Sequence, residues 1–314
     1  MRLSIVATLY QSAPYITEFL QRVSDAARQL VGEDYEIVLV NDGSPDNSLD
    51  IAVQLTENDS HLVVVDLARN FGHHKAMMTG LAHAKGEHIF LIDSDLEEEP
   101  EWVIGFAEQM AFEKCDVVYG EQEQRKGNFF ERWSGQLFYQ IFRTVTGLDL
   151  PDNIVVGRLM TRRYVDALLQ HGESEVFMAG LWVITGFEQK PKKIRKHSTS
   201  ETTYTLRKKV SQLVNSITSF SNTPLVAIFF IGSAIFFISG LYTAYLIANW
   251  LFLAQPPSGY TSLMTSIWLL GGMITAFLGV IGIYLSKVYL ETKRRPYTIV
   301  RGIYRKKSDE NESS

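Results

Sequence analysis

The sequence predicts an α/β protein in which a mostly parallel, Rossmann-like sheet is flanked by helices and followed by a C-terminal two-helix transmembrane hairpin. Three observations carry that expectation. Apolar β-branched runs alternate with helical patterns through the N-terminal part of the chain, acids stand where strands end, and no Asp, Glu, Lys or Arg occurs between Lys209 and Lys287.

The alternation predicts strands at 3–7, 36–40, 62–66 and 88–92, with helices at 16–30, 49–57 and 75–84 between them. Continuous apolar runs bounded by turn residues suit strands buried on both faces. Their repetition with helices builds a parallel sheet whose ligands bind beyond the carboxyl ends of the strands. Asp42 ends the second strand in Val40-Asn41-Asp42-Gly43-Ser44, and Asp93-Ser94-Asp95 follows the fourth. Two carboxylates leaving a buried strand can hold Mg²⁺ or Mn²⁺ against a diphosphate, because such ions take one or two protein carboxylates and complete their shell with phosphate and water. Neither a Gly-x-x-x-x-Gly-Lys loop nor a Gly-x-Gly-x-x-Gly turn occurs, which argues against a P-loop NTPase and a dinucleotide oxidoreductase.

The uncharged stretch predicts two membrane spans, at 225–253 and 262–285, separated by Gln255-Pro256-Pro257-Ser258-Gly259. Each exceeds the roughly 20 helical residues that cross a bilayer core of about 30 Å. Basic residues flank the pair, among them Lys192, Lys193, Arg207 and Lys208 before it and Lys293, Arg294 and Arg295 after it, while the intervening loop is uncharged. The positive-inside rule then predicts a multi-pass plasma-membrane protein with both termini and the soluble domain in the cytoplasm. The N-terminal residues enter a strand directly, without the apolar segment of a signal peptide.

Of the 314 residues, the hairpin leaves enough for one α/β domain with a full core. The expected organisation is a domain over 1–205, an amphipathic juxtamembrane helix over 206–223, the hairpin over 224–286, and a basic tail over 287–314 that ends in a disordered run. The net charge of −5 implies no nucleic-acid surface, and the clustered cations suit anionic lipid. The single cysteine, Cys115, excludes an intrachain disulfide. A second amphipathic pattern, Phe129-Phe130, Trp133, Leu137-Phe138 and Ile141-Phe142, suits either the membrane interface or the sheet surface.

Ser4-Ile5-Val6-Ala7-Thr8-Leu9-Tyr10, Val40-Asn41-Asp42-Gly43-Ser44, Arg69-Asn70-Phe71-Gly72 and Ile92-Asp93-Ser94-Asp95-Leu96-Glu97-Glu98-Glu99-Pro100-Glu101 resemble, in this order, the family 2 glycosyltransferases of GT-A fold. More narrowly, the chain resembles the polyprenyl-phosphate glycosyltransferases akin to dolichol-phosphate mannose synthase and the bactoprenol glucosyltransferases. The resemblance continues through Arg158-Leu159-Met160 to Asn222-Thr223-Pro224-Leu225. It implies inverting transfer of a sugar from a nucleotide sugar to a polyprenyl (undecaprenyl) phosphate, for cell-envelope glycan or lipopolysaccharide modification, with possible assembly of homo-oligomers through the membrane helices.

By this resemblance Thr8, Leu9, Tyr10 and Asp42 hold base and ribose, with Arg69, Lys75 and Ser94 in the nucleotide pocket. Asp93 lies near ribose and metal, and Asp95 ligates the metal. Glu97, where relatives often carry Gln, is either a third oxygen ligand or a solvated acid. Arg125, Lys126, Arg132 and Arg158 are candidates for the acceptor phosphate. Arg158 is favoured because its guanidinium can grip phosphate in a fork, the alternative being a salt bridge to a nearby acid. Asp93, Asp95 and Arg158 form the expected catalytic set.

The chain also departs from the family pattern. Val156 stands where relatives carry an acid, His73 where many carry Lys, and Ala7-Thr8-Leu9-Tyr10-Gln11-Ser12 replaces a Pro-x-Tyr-Asn-Glu-like turn. His73-His74 reads as a loop element rather than a metal pair. A phosphate acceptor is already ionised near neutral pH, so it can dispense with the strong general base that a sugar hydroxyl needs. Two other classes compete: a processive polysaccharide synthase, disfavoured by two spans and no Gln-x-x-Arg-Trp, and a non-catalytic membrane scaffold of the same fold.

Overall fold

A computed structural model describes residues 2–122, 140–148, 150–151, 153–173, 177–195, 214–215, 217–253 and 259–306. These divide into two compact units. One draws on 1–139, 148–204 and 295–314, the other on 140–147 and 205–294.

The first unit is an eight-stranded sheet clothed by helices. In chain order its elements are β1 (Leu3–Leu9), α1 (Ile16–Val31), β2 (Tyr35–Asn41), α2 (Ser48–Thr56), β3 (Leu62–Leu67), α3 (His73–His83), β4 (His88–Leu91), α4 (Trp102–Glu113), β5 (Val117–Gln122), β6 (Ile154–Thr161), α5 (Arg162–Leu168), α6 (Met178–Ile184), β7 (Gln189–Ile194) and β8 (Val300–Arg305). The strands lie in the order β7-β5-β6-β4-β1-β2-β3-β8. The central β4, β1, β2 and β3 run parallel, while β6 and β8 run antiparallel to their neighbours.

Burial on both faces explains the uninterrupted apolar strands. Every residue of β1, β2 and β3 is buried. Leu3, Ile5, Ala7 and Leu9 of β1 join a core with Phe19 and Val23 of α1, Ala52 of α2 and Phe106 of α4. Helix α1 supplies this layer through Ile16, Phe19, Leu20, Val23, Ala26 and Ala27, which share one face at helical spacing. Each fully buried Phe, Leu or Ile contributes about 1.5–3 kcal/mol.

Helix α3 covers the opposite face, and Gly80 lets it approach. A Cβ there would collide with the Val6 side chain on β1 and stand 3.0 Å from Val40 Cγ2 on β2. The helix begins at His73, two residues before the predicted start, because Gly72 (φ 99) turns the chain just ahead of it.

Register sets the position of the carboxyl edge. Leu9 pairs with Asn41, and Asn41 with Asp66, so β1, β2 and β3 end in one row. Residues 300–305, read from sequence as tail, instead form β8 along β3. Ala68 N–H donates to Ile299 O at 2.8 Å, and Arg301 reaches Ala68 O at 2.7 Å.

The second unit contains α7 (Thr223–Leu253) and α8 (Tyr260–Thr292). Tyr284 hydroxyl donates to Ser221 O at 2.6 Å, and Lys287 Nζ to Asn215 O at 3.0 Å and Ser219 Oγ at 2.7 Å. Among the described residues one stretch, Leu269–Thr292, has the length and mean hydropathy (24 residues, 1.9) to cross a membrane. The described apolar stretch of α7, Thr223–Ser239, is shorter, so the expected pair of spans is met here by one. Most of the 206–223 helix, the 123–139 part of the other amphipathic pattern and the 307–314 end of the tail lie outside the described residues.

Filling the α3–sheet contact tests this packing. Gly80→Val is expected to destabilise the chain by about 1–3 kcal/mol through overpacking, read as a lowered thermal unfolding midpoint in detergent.

Candidate active site at the carboxyl ends of the strands

The loops leaving β1, β2, β3 and β4 meet at this edge, and hydrogen bonds tie them together. Asp42, 2% exposed, accepts the backbone N–H of Phe71 at 2.7 Å and of Gly72 at 3.0 Å. Its own N–H donates to Leu9 O at 3.0 Å. Burial pushes the Asp42 carboxyl above the usual range, and the two amides draw it back. Gly43 completes the junction at φ 61, where a Cβ would collide with the backbone of Arg69 and Asn70. Asp42 therefore holds the loop that carries Arg69 and leads into α3.

Asp46 organises the β1 side in the same way. Its carboxylate accepts the hydroxyls of Ser44 and Ser48, both at 2.6 Å, and the N–H of Ala13 at 3.3 Å. Burial raises this group, but the hydrogen bonds from Ser44, Ser48 and Ala13 outweigh it and bring it down to about 2. Ser94, 4% exposed, donates to Thr8 O at 2.7 Å and clips the end of β1 to the segment after β4.

Thr8 Oγ1 lies 3.0 Å from His73 Nδ1, and His73 Nε2 lies 3.3 Å from Asp93 Oδ1. Thr8 is buried, His73 and Tyr10 are exposed, and Asp93 is partly exposed. Asp95 stands exposed at the rim, its Oδ1 accepting the N–H of Glu97 at 3.0 Å across Leu96 (φ 59). A left-handed leucine costs about 1–2 kcal/mol. This turn holds it there.

The expected residues fall into groups. Thr8, Tyr10, Asp42, Ser94, Asp93 and Asp95 belong to the β1, β2 and β4 ends, whereas the Leu9 side chain is in the core and leaves only its backbone at the edge. Arg69 lies against the Phe71 ring at 4.0 Å and donates to Asn70 O at 2.9 Å. Lys75 Nζ lies 5.4 Å from the ring centre of Tyr297, just ahead of β8.

Arg158 departs from the sequence expectation. It is 0% exposed, stacks at 3.0 Å on Trp182, and donates to Val156 O at 3.2 Å and Val155 O at 3.3 Å. Burial pushes its guanidinium down to about 9, with the charge of Glu98 acting in the opposite direction. Arg158 thus offers no open fork to an acceptor. Glu98, also 0% exposed, accepts the N–H of Val156 at 3.1 Å, so the β6 backbone is held from the β4 side. Arg125 and Arg132 lie outside the described residues.

The donor set suits a hard cation through two carboxylates. Asp93 and Asp95 offer oxygens, one partly enclosed and one open, and such an ion completes its shell with diphosphate and water. Glu97 does not join them. It is 9% exposed rather than solvated, and among the described residues no three His, Cys, Asp or Glu side chains converge as a metal set.

Sequence reasoning passed over Asp46 and Asp66, and it read His73-His74 as a loop element, whereas both residues stand in the first turn of α3. Asp66, 1% exposed, accepts from Asn41 Nδ2 at 2.8 Å and lies 3.6 Å from Arg301 Nε. Its place at the end of β3 was the available signal.

Comparison with known proteins fits this arrangement. The description of glycosyl transferase family 2 matches residues 4–169. A glycosyltransferase-family protein of Mycobacterium tuberculosis is 48% identical over 304 residues, covering 97% of this chain and 89% of that protein. A bactoprenol glucosyl transferase of Shigella flexneri is 30% identical over 308 residues, covering 97% of this chain and 99% of that enzyme. Among solved structures, the mannosyltransferase PcManGT of Pyrobaculum calidifontis is similar at a TM-score of 0.49 and 16% identity, over 92% of this chain and 85% of that one. The chain belongs to the family 2 glycosyltransferases, and its sheet is mostly parallel and helix-flanked, as the resemblance to that family implied.

The Asp46 network has a defined pH signature. Its folded pKa lies below that of an ordinary carboxylate, so its contribution is present above the ordinary value and is lost as pH falls toward about 2. The difference in thermal midpoint between wild type and Asp46→Asn is expected to be largest near neutral pH and to shrink below about pH 4.

Proposed function

We propose that this chain moves a sugar, with inversion, from a nucleotide-sugar donor to a polyprenyl phosphate at the cytoplasmic face of the membrane. The observation that carries this reading is the acid pair Asp93 and Asp95 at the carboxyl edge of the sheet, in a chain that aligns nearly end to end with a bactoprenol glucosyl transferase. The apolar Leu269–Thr292 stretch supports a membrane location, and the uncharged 210–286 region supports a second crossing by α7.

Each group at the edge has a task. Thr8, Tyr10 and the loop held by Asp42 receive the base and ribose. Asp93 and Asp95 hold the divalent cation, which when bound supplies Lewis-acid stabilisation of the departing nucleoside diphosphate. Ser94 and the Asp95–Glu97 turn fix those carboxylates before the donor arrives, so little reorganisation is left for the reaction itself. An acceptor phosphate enters already ionised, which suits a β6 that presents Val156 where relatives carry an acid. Cations for that phosphate come from Arg125, Lys126 and Arg132, since Arg158 is enclosed.

The purified chain, given radiolabelled nucleotide sugars, Mg²⁺ or Mn²⁺ and undecaprenyl phosphate, is expected to yield chloroform-soluble label. Insoluble polymer would favour the processive synthase, and absence of any transfer would remove the reading. Asp95→Asn is expected to lower turnover by about 100-fold or more, with an unfolding midpoint within about 2 °C of wild type. Unchanged rates would take Asp95 out of the site.

A further inference from the structure

His73 joins two strand ends that also meet through the sheet and through Ser94. Its Nδ1 is 3.0 Å from Thr8 Oγ1 at the end of β1, and its Nε2 is 3.3 Å from Asp93 Oδ1 just beyond β4. These two distances place the ring between the Thr8 hydroxyl and the Asp93 carboxylate.

Asp93 Oδ1 is enclosed, and His73 Nε2 lies within ion-pair range of it at 3.3 Å without making an aligned hydrogen bond. The Asp93 side chain nevertheless keeps 18% exposure, which its other atoms must supply. His73 occupies the first turn of α3, with its neighbour Gly72 at φ 99, and that helix is seated on the sheet through Gly80. The imidazole therefore rests on a rigid element.

We propose that His73 is a positioning residue, which by bridging Thr8 and Asp93 fixes the Asp93 carboxylate with one oxygen held inward and the other left for the donor diphosphate and its cation. This rests on the reading of Asp93 given above. A bound ligand group usually needs such an outer partner to hold its orientation, and losing that partner costs about 10–100-fold in metal affinity.

The test is binding rather than turnover, with Mn²⁺ and either UDP or GDP as probes on the full-length chain in detergent, followed by calorimetry and Mn²⁺ spin resonance. His73→Leu is expected to weaken Mn²⁺–nucleotide binding about 10-fold, with an unfolding midpoint within about 2 °C of wild type. His73→Gln keeps an N–H donor on a chain of similar reach, and is expected to recover most of the loss. Thr8→Val should act in the same direction but more weakly. Wild-type binding by His73→Leu, or equal weakness of the Gln and Leu variants, would each overturn the proposal while leaving the glycosyltransferase reading in place. Failure of the wild-type chain to bind either Mn²⁺–nucleotide pair would overturn both.

Discussion

Parallel pairing of β1, β2 and β3, in the register that aligns Leu9, Asn41 and Asp66, is the constraint from which the site follows. Strand side chains alternate between faces, so a slip of one residue would send the Ile5 and Ile37 layer toward α3 and the Val6 and Val40 layer toward α1. Both faces are fully packed, which makes that slip expensive. The loops after these strands consequently start from fixed positions, and short side chains such as Thr8, Ser94 and Asp42 suffice to join them.

The acids at this edge divide their work. Asp42 and Asp46 spend their oxygens on backbone amides and serine hydroxyls, and Asp66 is buried against Asn41. Such carboxylates are scaffolding, because a buried charge is tolerable when hydrogen bonds satisfy it. Asp95 is exposed and Asp93 keeps part of its side chain open, which is the basis for proposing these two as ligands of a cation. A cluster of acids in sequence is thus not one site, and hydrogen-bond partners separate the supports from the proposed ligands. Arg158 shows the same division for cations, since its guanidinium is enclosed by Trp182 and β6 carbonyls.

The N-terminal half of the fold was legible because central parallel strands are buried on both sides and therefore appear as unbroken apolar runs, as in Ile37-Val38-Leu39-Val40. Outer strands carry no such mark. The Gln189–Ile194 strand reads Gln-Lys-Pro-Lys-Lys-Ile, with charges suited to an open edge, and Val300–Arg305 is mostly exposed, so both passed for basic flanks. In the candidate site, Asp93 and Asp95 were placed at the sheet edge by their position after a strand. His73 was not, because its role depends on Gly72 starting the helix early and on Thr8, 65 positions away in sequence. The enclosure of Arg158 likewise depends on Trp182, which no local pattern links to β6.

Strand β8 changes what the outer border of the sheet exposes. Without it, β3 would present a row of bare backbone donors and acceptors along Val63, Val64 and Val65, an adhesive template for another chain in extended conformation. With it, the outermost strand is one whose Arg301 and Arg305 are exposed to solvent, and charged groups there discourage further accretion. The residues following the apolar helix α8 thereby act as a selvedge, a finished border that keeps a valine-rich sheet from fraying into aggregates.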